Sequence, residues 1–131
     1  MRFTDTHCHF DFPPFAGDEE KSIARAAEAG VERIIVPAVD ASRFARIVAL
    51  AAQHPALYAA LGLHPIAIDQ HEDAHLDQLE SWLQRQPAKL AAIGEIGLDL
   101  YMENPQFARQ EFLFDAQLRL AKQYDLSLIH I

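Results

Sequence analysis

Cysteine is nearly absent. Cys8 is the only one in 131 residues, so no internal disulfide can form. Positive charge is also scarce, with 11 Lys and Arg against 19 Asp and Glu, a net charge of −8 with the histidines neutral. No basic run exists, which argues against a module that holds nucleic acid through many phosphate contacts. No apolar run approaches the ~18 residues of a membrane-spanning helix. The opening Met1-Arg2-Phe3-Thr4-Asp5 lacks the apolar stretch of a signal peptide. With the lone thiol, that makes a cytoplasmic location the expectation. Walker loops, dinucleotide fingerprints, paired-cysteine zinc sites and serine elbows are all missing. The length falls short of the roughly 250 residues of a complete (β/α)8 barrel.

What remains is an ordinary globular composition, 50% apolar and 23% charged, with seven histidines. Arg2–Cys8 reads as a strand, followed by a Pro13-Pro14 loop. A helix is N-capped by Asp18, buries Ile23, Ala26 and Ala27, and ends at Gly30. Val31–Val36 is a β-branched run with the look of a strand buried on both faces. A second helix opens at Asp40 or Ser42, with Phe44, Ile47, Val48 and Ala51 on one stripe, and stops before Pro55. Leu57–Leu61 is a strand, Asp73–Gln86 a helix and Leu90–Ile93 a strand. Asn104-Pro105 suits a helix start with proline at its first position, and Phe107, Phe114, Leu118 and Ala121 give that helix its apolar positions. Leu126–Ile131 begins a fifth strand. Alternating strands and helices with no linker or repeat indicate a parallel α/β fold. This pattern fits both a five-stranded doubly wound sheet and half of an eight-stranded barrel.

Side chains alternate across a strand, so His7 and His9 share a face with Asp5 while Cys8 points the other way, as a small core residue. Two imidazoles at i and i+2 can converge on one metal ion. They sit at the carboxyl end of a strand, where α/β folds place their sites. Glu95 follows the fourth strand between Gly94 and Gly97, and a carboxylate there needs a partner or a cation. His64, just past the third strand, is held out of helical conformation by Pro65. It can bind metal, contact a substrate phosphate or satisfy a loop carbonyl. Asp99 is a weaker candidate, because loop aspartates commonly serve turns. His71-Glu72-Asp73-Ala74-His75 matches the zinc-protease pattern His-Glu-x-x-His. It lies at a polar helix start with Asp73 as the capping residue, so it reads as a solvated helix terminus.

Taken in order, Asp5-Thr6-His7-Cys8-His9, Gly62-Leu63-His64-Pro65, Gly94-Glu95-Ile96-Gly97-Leu98-Asp99 and the helix pattern Gln110, Phe114, Gln117-Leu118 resemble the TatD-type metal-dependent deoxyribonucleases, within the amidohydrolase-like metal hydrolases. The resemblance covers residues 1–126. It implies the N-terminal half of a (β/α)8 TIM-type barrel, four βα units plus a fifth strand, forming a single incomplete domain over 1–131. It also implies one or two divalent ions (Mg2+, Mn2+ or Zn2+), with His7 and His9 on the first and Glu95 bridging both. His64 would bind substrate. The substrate would be DNA, cleaved at its phosphodiester bonds by metal-activated water, with no membrane and no protein partner implied. A metal-dependent amidohydrolase acting on a small molecule, or a non-catalytic fragment, are the alternatives.

The family places a histidine after its fifth strand, in a Leu-Pro-Val-x-x-His pattern. Aligned on Leu126, that histidine belongs at 131, but it stands at 130. A one-residue slip turns a strand side chain to the opposite face, so Ser127–Ile131 reads as a truncation or sequence-end artefact. A half barrel also leaves two strand edges and an apolar interior open, which favours aggregation or pairing with a second copy.

Overall fold

A computed structural model describes all of residues 1–131. Five strands, β1 (Phe3–Asp5), β2 (Val31–Pro37), β3 (Leu57–Leu61), β4 (Leu90–Ile96) and β5 (Ser127–His130), alternate with four helices. The helices are α1 (Glu19–Glu28), α2 (Phe44–Gln53), α3 (Asp73–Arg85) and α4 (Phe107–Gln123). All strand pairs are parallel, and their spatial order is β1-β2-β3-β4-β5. A doubly wound sheet reverses its order at a switch point, and no reversal occurs here. Consecutive parallel strands joined by right-handed crossovers put every helix on one face, and the sheet curls into the arc of a barrel.

The curl is tightest at the carboxyl ends of the strands. Ala38, one residue past β2, donates its N–H to the carbonyls of Ala60 in β3 (3.0 Å) and Gly94 in β4 (3.1 Å), and accepts from the N–H of Glu95 (3.0 Å). Glycine makes this approach possible, since a Cβ on Gly62 would stand 2.9 Å from the Gly94 carbonyl carbon. Strand ends that would otherwise splay apart are thereby drawn to one point.

The core lies between sheet and helices. Ile34, Val36, Leu57, Leu61 and Ile93 meet Phe44, Ile47 and Leu50 of α2, Leu79 and Leu83 of α3, and Leu113 and Leu120 of α4. Each fully buried side chain of this size contributes about 1.5–3 kcal/mol over its exposed form. The other face of the sheet presents Thr4, Arg33, Ile35 and Tyr58 around a cavity of about 210 Å³. That surface is mixed in polarity, not the apolar interior expected.

Several local expectations are corrected. β1 stops at Asp5, not Cys8, because the Asp5 carboxylate takes the N–H of His7 (3.0 Å) out of the ladder. Ala27 is exposed, and α1 contributes only Ile23 and Ala26 to the core. β2 is buried on both faces only toward its end, with Glu32 and Arg33 exposed. β4 runs on to Ile96 and so contains Glu95. α4 begins at Phe107, with Gln106 and not Asn104 before it, because the Pro105 carbonyl is bonded by the side chain of Gln110 (2.6 Å). Phe107 itself is exposed. Ser127–His130 pairs with β4 as β5.

Candidate metal centre

His7 and His9 follow β1, His64 follows β3 and Glu95 lies near the end of β4, so the curl of the sheet gathers them. Glu95 is 5% exposed, although its carboxylate sits among groups that reach solvent. Its Oε2 lies 2.8 Å from His7 Nε2 and 3.0 Å from His9 Nε2, and its Oε1 lies 3.1 Å from His64 Nε2. Burial pushes the Glu95 carboxyl pKa up. The hydrogen bond and charge of His64, then those of His7, outweigh it and hold the group below the usual carboxylate range.

The two sides of the carboxylate differ in chemistry. His64 Nδ1 accepts the N–H of Ile66 (3.0 Å), so the ring proton resides on Nε2 and is donated to Glu95 Oε1. On the Oε2 side, one ligand atom each from His7, His9 and Glu95 lie within 4.8 Å of one another. A divalent ion with bonds of about 2.1 Å keeps its ligands roughly 3–3.5 Å apart. Two imidazole nitrogens and a buried carboxylate oxygen at these separations fit such an ion with small side-chain movements. His9 Nδ1 is buried with no hydrogen-bond partner.

Other candidates are placed elsewhere. Cys8 is half-buried against the core, its thiol pKa raised by burial and then by Asp5 and Asp11. Asp99 Oδ1 accepts the N–H of Tyr101 (2.9 Å), which is turn chemistry. His130 lies against the Phe114 ring of α4 (5.7 Å between centroids), outside the His7, His9 and Glu95 group.

The His-Glu-x-x-His stretch contributes nothing to the candidate metal group, and Glu72, Asp73 and Ala74 form the exposed helix start expected, but His71 is buried. Glu72, not Asp73, caps α3, and His75 Nδ1 accepts the Glu72 N–H (3.1 Å) in a capping box. His71 is 6% exposed and donates from Nε2 to the carbonyl of His64 (2.7 Å). Burial holds its pKa below the ordinary imidazole value. Sequence reasoning missed His71 as a support of the site, and it missed Asp11, whose buried carboxylate oxygens have no hydrogen-bond partner and lie 3.8 Å from Arg43. Asp11, two residues beyond His9, could have been found as a further acidic group beside His-x-His. No local signal marked His71.

A family model described as TatD related DNase matches residues 4–131. The chain belongs to this TatD family. It is 62% identical over 128 residues to the metal-dependent hydrolase YjjV of Escherichia coli K12, covering 98% of this chain and 49% of that protein. The crystal structure of E. coli YjjV, described as a TatD homolog, superposes with a TM-score of 0.97 at 61% identity, over 98% of this chain and 50% of that one. A Pantoea protein named 3'-5' ssDNA/RNA exonuclease TatD is 34% identical over 115 residues, which is 86% of this chain and 43% of that protein. The chain thus spans about half the length of the curated relatives it matches, and its five-stranded arc is a half-barrel of the TatD fold. Metal-dependent hydrolases are its relatives, and His7, His9 and Glu95 form a group that could hold a metal ion.

Proposed function

We propose that the full-length gene product is a metal-dependent phosphodiesterase acting on DNA, and that this chain supplies His7, His9 and Glu95 to its metal centre. The observation that carries the reading is the convergence of two imidazoles on the Oε2 side of one buried carboxylate. His7, His9 and Glu95 would hold a divalent ion, whose chemistry there would be to lower the pKa of a water molecule. Glu95 stays ionised because His64 and His7 stabilise its charge. We assign His64 to substrate, since its Nε2–H is a donor that can pass from Glu95 to a phosphate oxygen. Bound cations would also offset the net charge of −8 that repels a polyanion. The Pantoea relative's name, an exonuclease for single-stranded DNA and RNA, supports a nucleic-acid substrate. No helix is long and apolar enough to cross a membrane, and we place the protein in the cytoplasm.

We further propose that residues 1–131 are an incomplete domain and that Ser127–Ile131 departs from the native sequence. The 131-residue chain alone would then show no more than trace nuclease activity. Sequencing the source DNA beyond codon 126 tests this, and an unbroken reading of Leu126-Ser127-Leu128-Ile129-His130-Ile131 into a full barrel would refute it. For the activity, the test is digestion of single-stranded DNA by the full-length gene product with Mg2+, Mn2+ or Zn2+. Expected is metal-dependent release of nucleotides, lost in His7→Ala. Hydrolysis of cyclic amides or esters with no DNA cleavage would overturn the reading in favour of an amidohydrolase.

A further inference from the structure

Two glutamines of α4, Gln110 and Gln117, are each only 1% exposed. They stand seven residues apart, two helical turns, and so share a face. A buried amide needs all its polar atoms satisfied, and an apolar side chain would fill the same space at no such cost. Both amides spend most of their hydrogen bonds on the backbone of the loops that follow β3 and β4. Gln117 Oε1 accepts the N–H of Leu63 (2.7 Å), and its Nε2 donates to the carbonyls of Leu63 (3.4 Å) and Leu113 (3.0 Å). Gln110 Oε1 accepts the N–H of Asp99 (2.7 Å), and its Nε2 donates to the carbonyls of Asp99 (2.9 Å) and Pro105 (2.6 Å). One helix thus grips the N–H and carbonyl of a single residue in each of two loops, the one leading into His64 and the one leaving Glu95.

The grip on Leu63 completes a set of bonds that leaves His64 little freedom. The His64 N–H is held by the carbonyl of Val39 (2.8 Å) and its carbonyl by His71 Nε2 (2.7 Å). Its Nδ1 is held by the Ile66 N–H (3.0 Å). With these positions satisfied, His64 Nε2 stands 3.1 Å from Glu95 Oε1.

We infer that Gln117 is a positioning residue: it sets the orientation of His64, and through it the state of Glu95 Oε1, while Gln110 does the same for the loop beyond Glu95. Gln117 touches neither candidate ligand, so its effect on the metal centre runs entirely through His64. The effect on metal affinity rests on the proposed metal centre, whereas the effect on the His64 ring does not.

The test is a double-mutant cycle in the full-length gene product, using Gln117→Met, His64→Ala and the pair, with two readouts. The first is the tautomer of His64 in the metal-free protein, by long-range ¹H–¹⁵N spectra of the imidazole. Expected is a single Nε2–H tautomer in the parent and a mixture in Gln117→Met. The second is Mn2+ affinity by calorimetry. Expected is a loss of about 10-fold for Gln117→Met, in the range of outer partners of metal ligands, shrinking to less than about 2-fold in the His64→Ala background. If Gln117→Met does not fold, Gln117→Leu carries the same comparison, since it too removes both bonds to Leu63. An unchanged His64 tautomer, or an equal loss of affinity in both backgrounds, would make Gln117 a core residue and overturn the inference. A parent that binds no Mn2+ would refute the proposed metal centre, leaving the tautomer comparison to decide the role of Gln117.

Discussion

Gly62→Ala is the sharpest test of how the fold builds the site. Gly62 directly follows β3, two residues before His64, and Gly94 immediately precedes Glu95. A Cβ on Gly62 would lie 2.9 Å from the Gly94 carbonyl carbon and 3.0 Å from its Cα and N, all backbone atoms that no rotamer change can move aside. Ordinary contact begins at 3.4 Å, so the ends of β3 and β4 must part by about 0.5 Å, an overpacking that costs roughly 1–3 kcal/mol. His64 and Glu95 ride on those two ends. Moving them apart by this amount stretches their 3.1 Å contact to about 3.6 Å, beyond a hydrogen bond. The variant of the full-length gene product should therefore melt roughly 2–12 °C below the parent. It should also bind Mn2+ about 10-fold more weakly, as when a metal ligand loses an outer partner. Thermal unfolding followed by circular dichroism and calorimetric titration measure the two effects. Gly17→Ala is the control, with a φ of +89° and nothing within 4 Å of the added carbon. It should cost about 1 kcal/mol through backbone strain and leave Mn2+ binding unchanged. A Gly62→Ala protein that melts and binds metal like the parent would refute the idea that glycine contact sets the spacing of the site.

Glu95→Gln removes the charge but keeps an oxygen for His64, so it should fold and lose Mn2+ binding by more than about 100-fold; calorimetry showing parental affinity would remove Glu95 from the ligand set. His71 has its pKa lowered by burial, so it is neutral when folded and takes up a proton near pH 6.5 when unfolded. Its contribution to stability is complete above that value and is lost as pH falls from about 6.5 toward the lowered folded pKa. Denaturant melts at pH 7.5 and 5.5 should show the parent losing more stability than His71→Phe, and equal losses would contradict this. Asp11 has its carboxyl pKa raised, chiefly by burial, so the folded state binds the proton more tightly and stability falls as pH rises from about 3.9 through the raised value. Asp11→Asn should therefore stabilise the protein at pH 7 by on the order of 1 kcal/mol, with the gain vanishing toward pH 4. Denaturant melts at pH 7 and pH 4 detect it, and no gain at pH 7 would mean the carboxylate is compensated.

The alternation of strand and helix was legible because burial of one apolar face imposes a local period, and Ile47, Leu57 and Leu79 sit where that period puts them. His7, His9, His64 and Glu95 were legible as candidates for the same reason, since each follows or ends an apolar run at the carboxyl end of a strand. Strand order was not. A doubly wound sheet and a barrel arc use the same local pattern, and they differ only in which strands pair, as in the meeting of Gly62 with Gly94. The extent of β4 was also hidden, because Gly94 and Glu95 carry no strand propensity and are held there by contacts with Ala38.

The supports of the site were the least visible. His71 reads as a polar helix terminus until its partner, the His64 carbonyl, is known. Gln117 enters the sequence reading only as part of a helix pattern, and its role shows once it is paired with Leu63, 54 residues away. Periodicity reports which residues avoid water. A buried polar group is instead stabilised by whichever backbone atoms the chain brings to it, and those partners exist only once the fold has formed. Sequence by itself therefore determined the chemistry available here, two imidazoles and a carboxylate at strand ends. Only the tertiary structure decided that they converge, which carboxylate oxygen each one meets, and what holds them there.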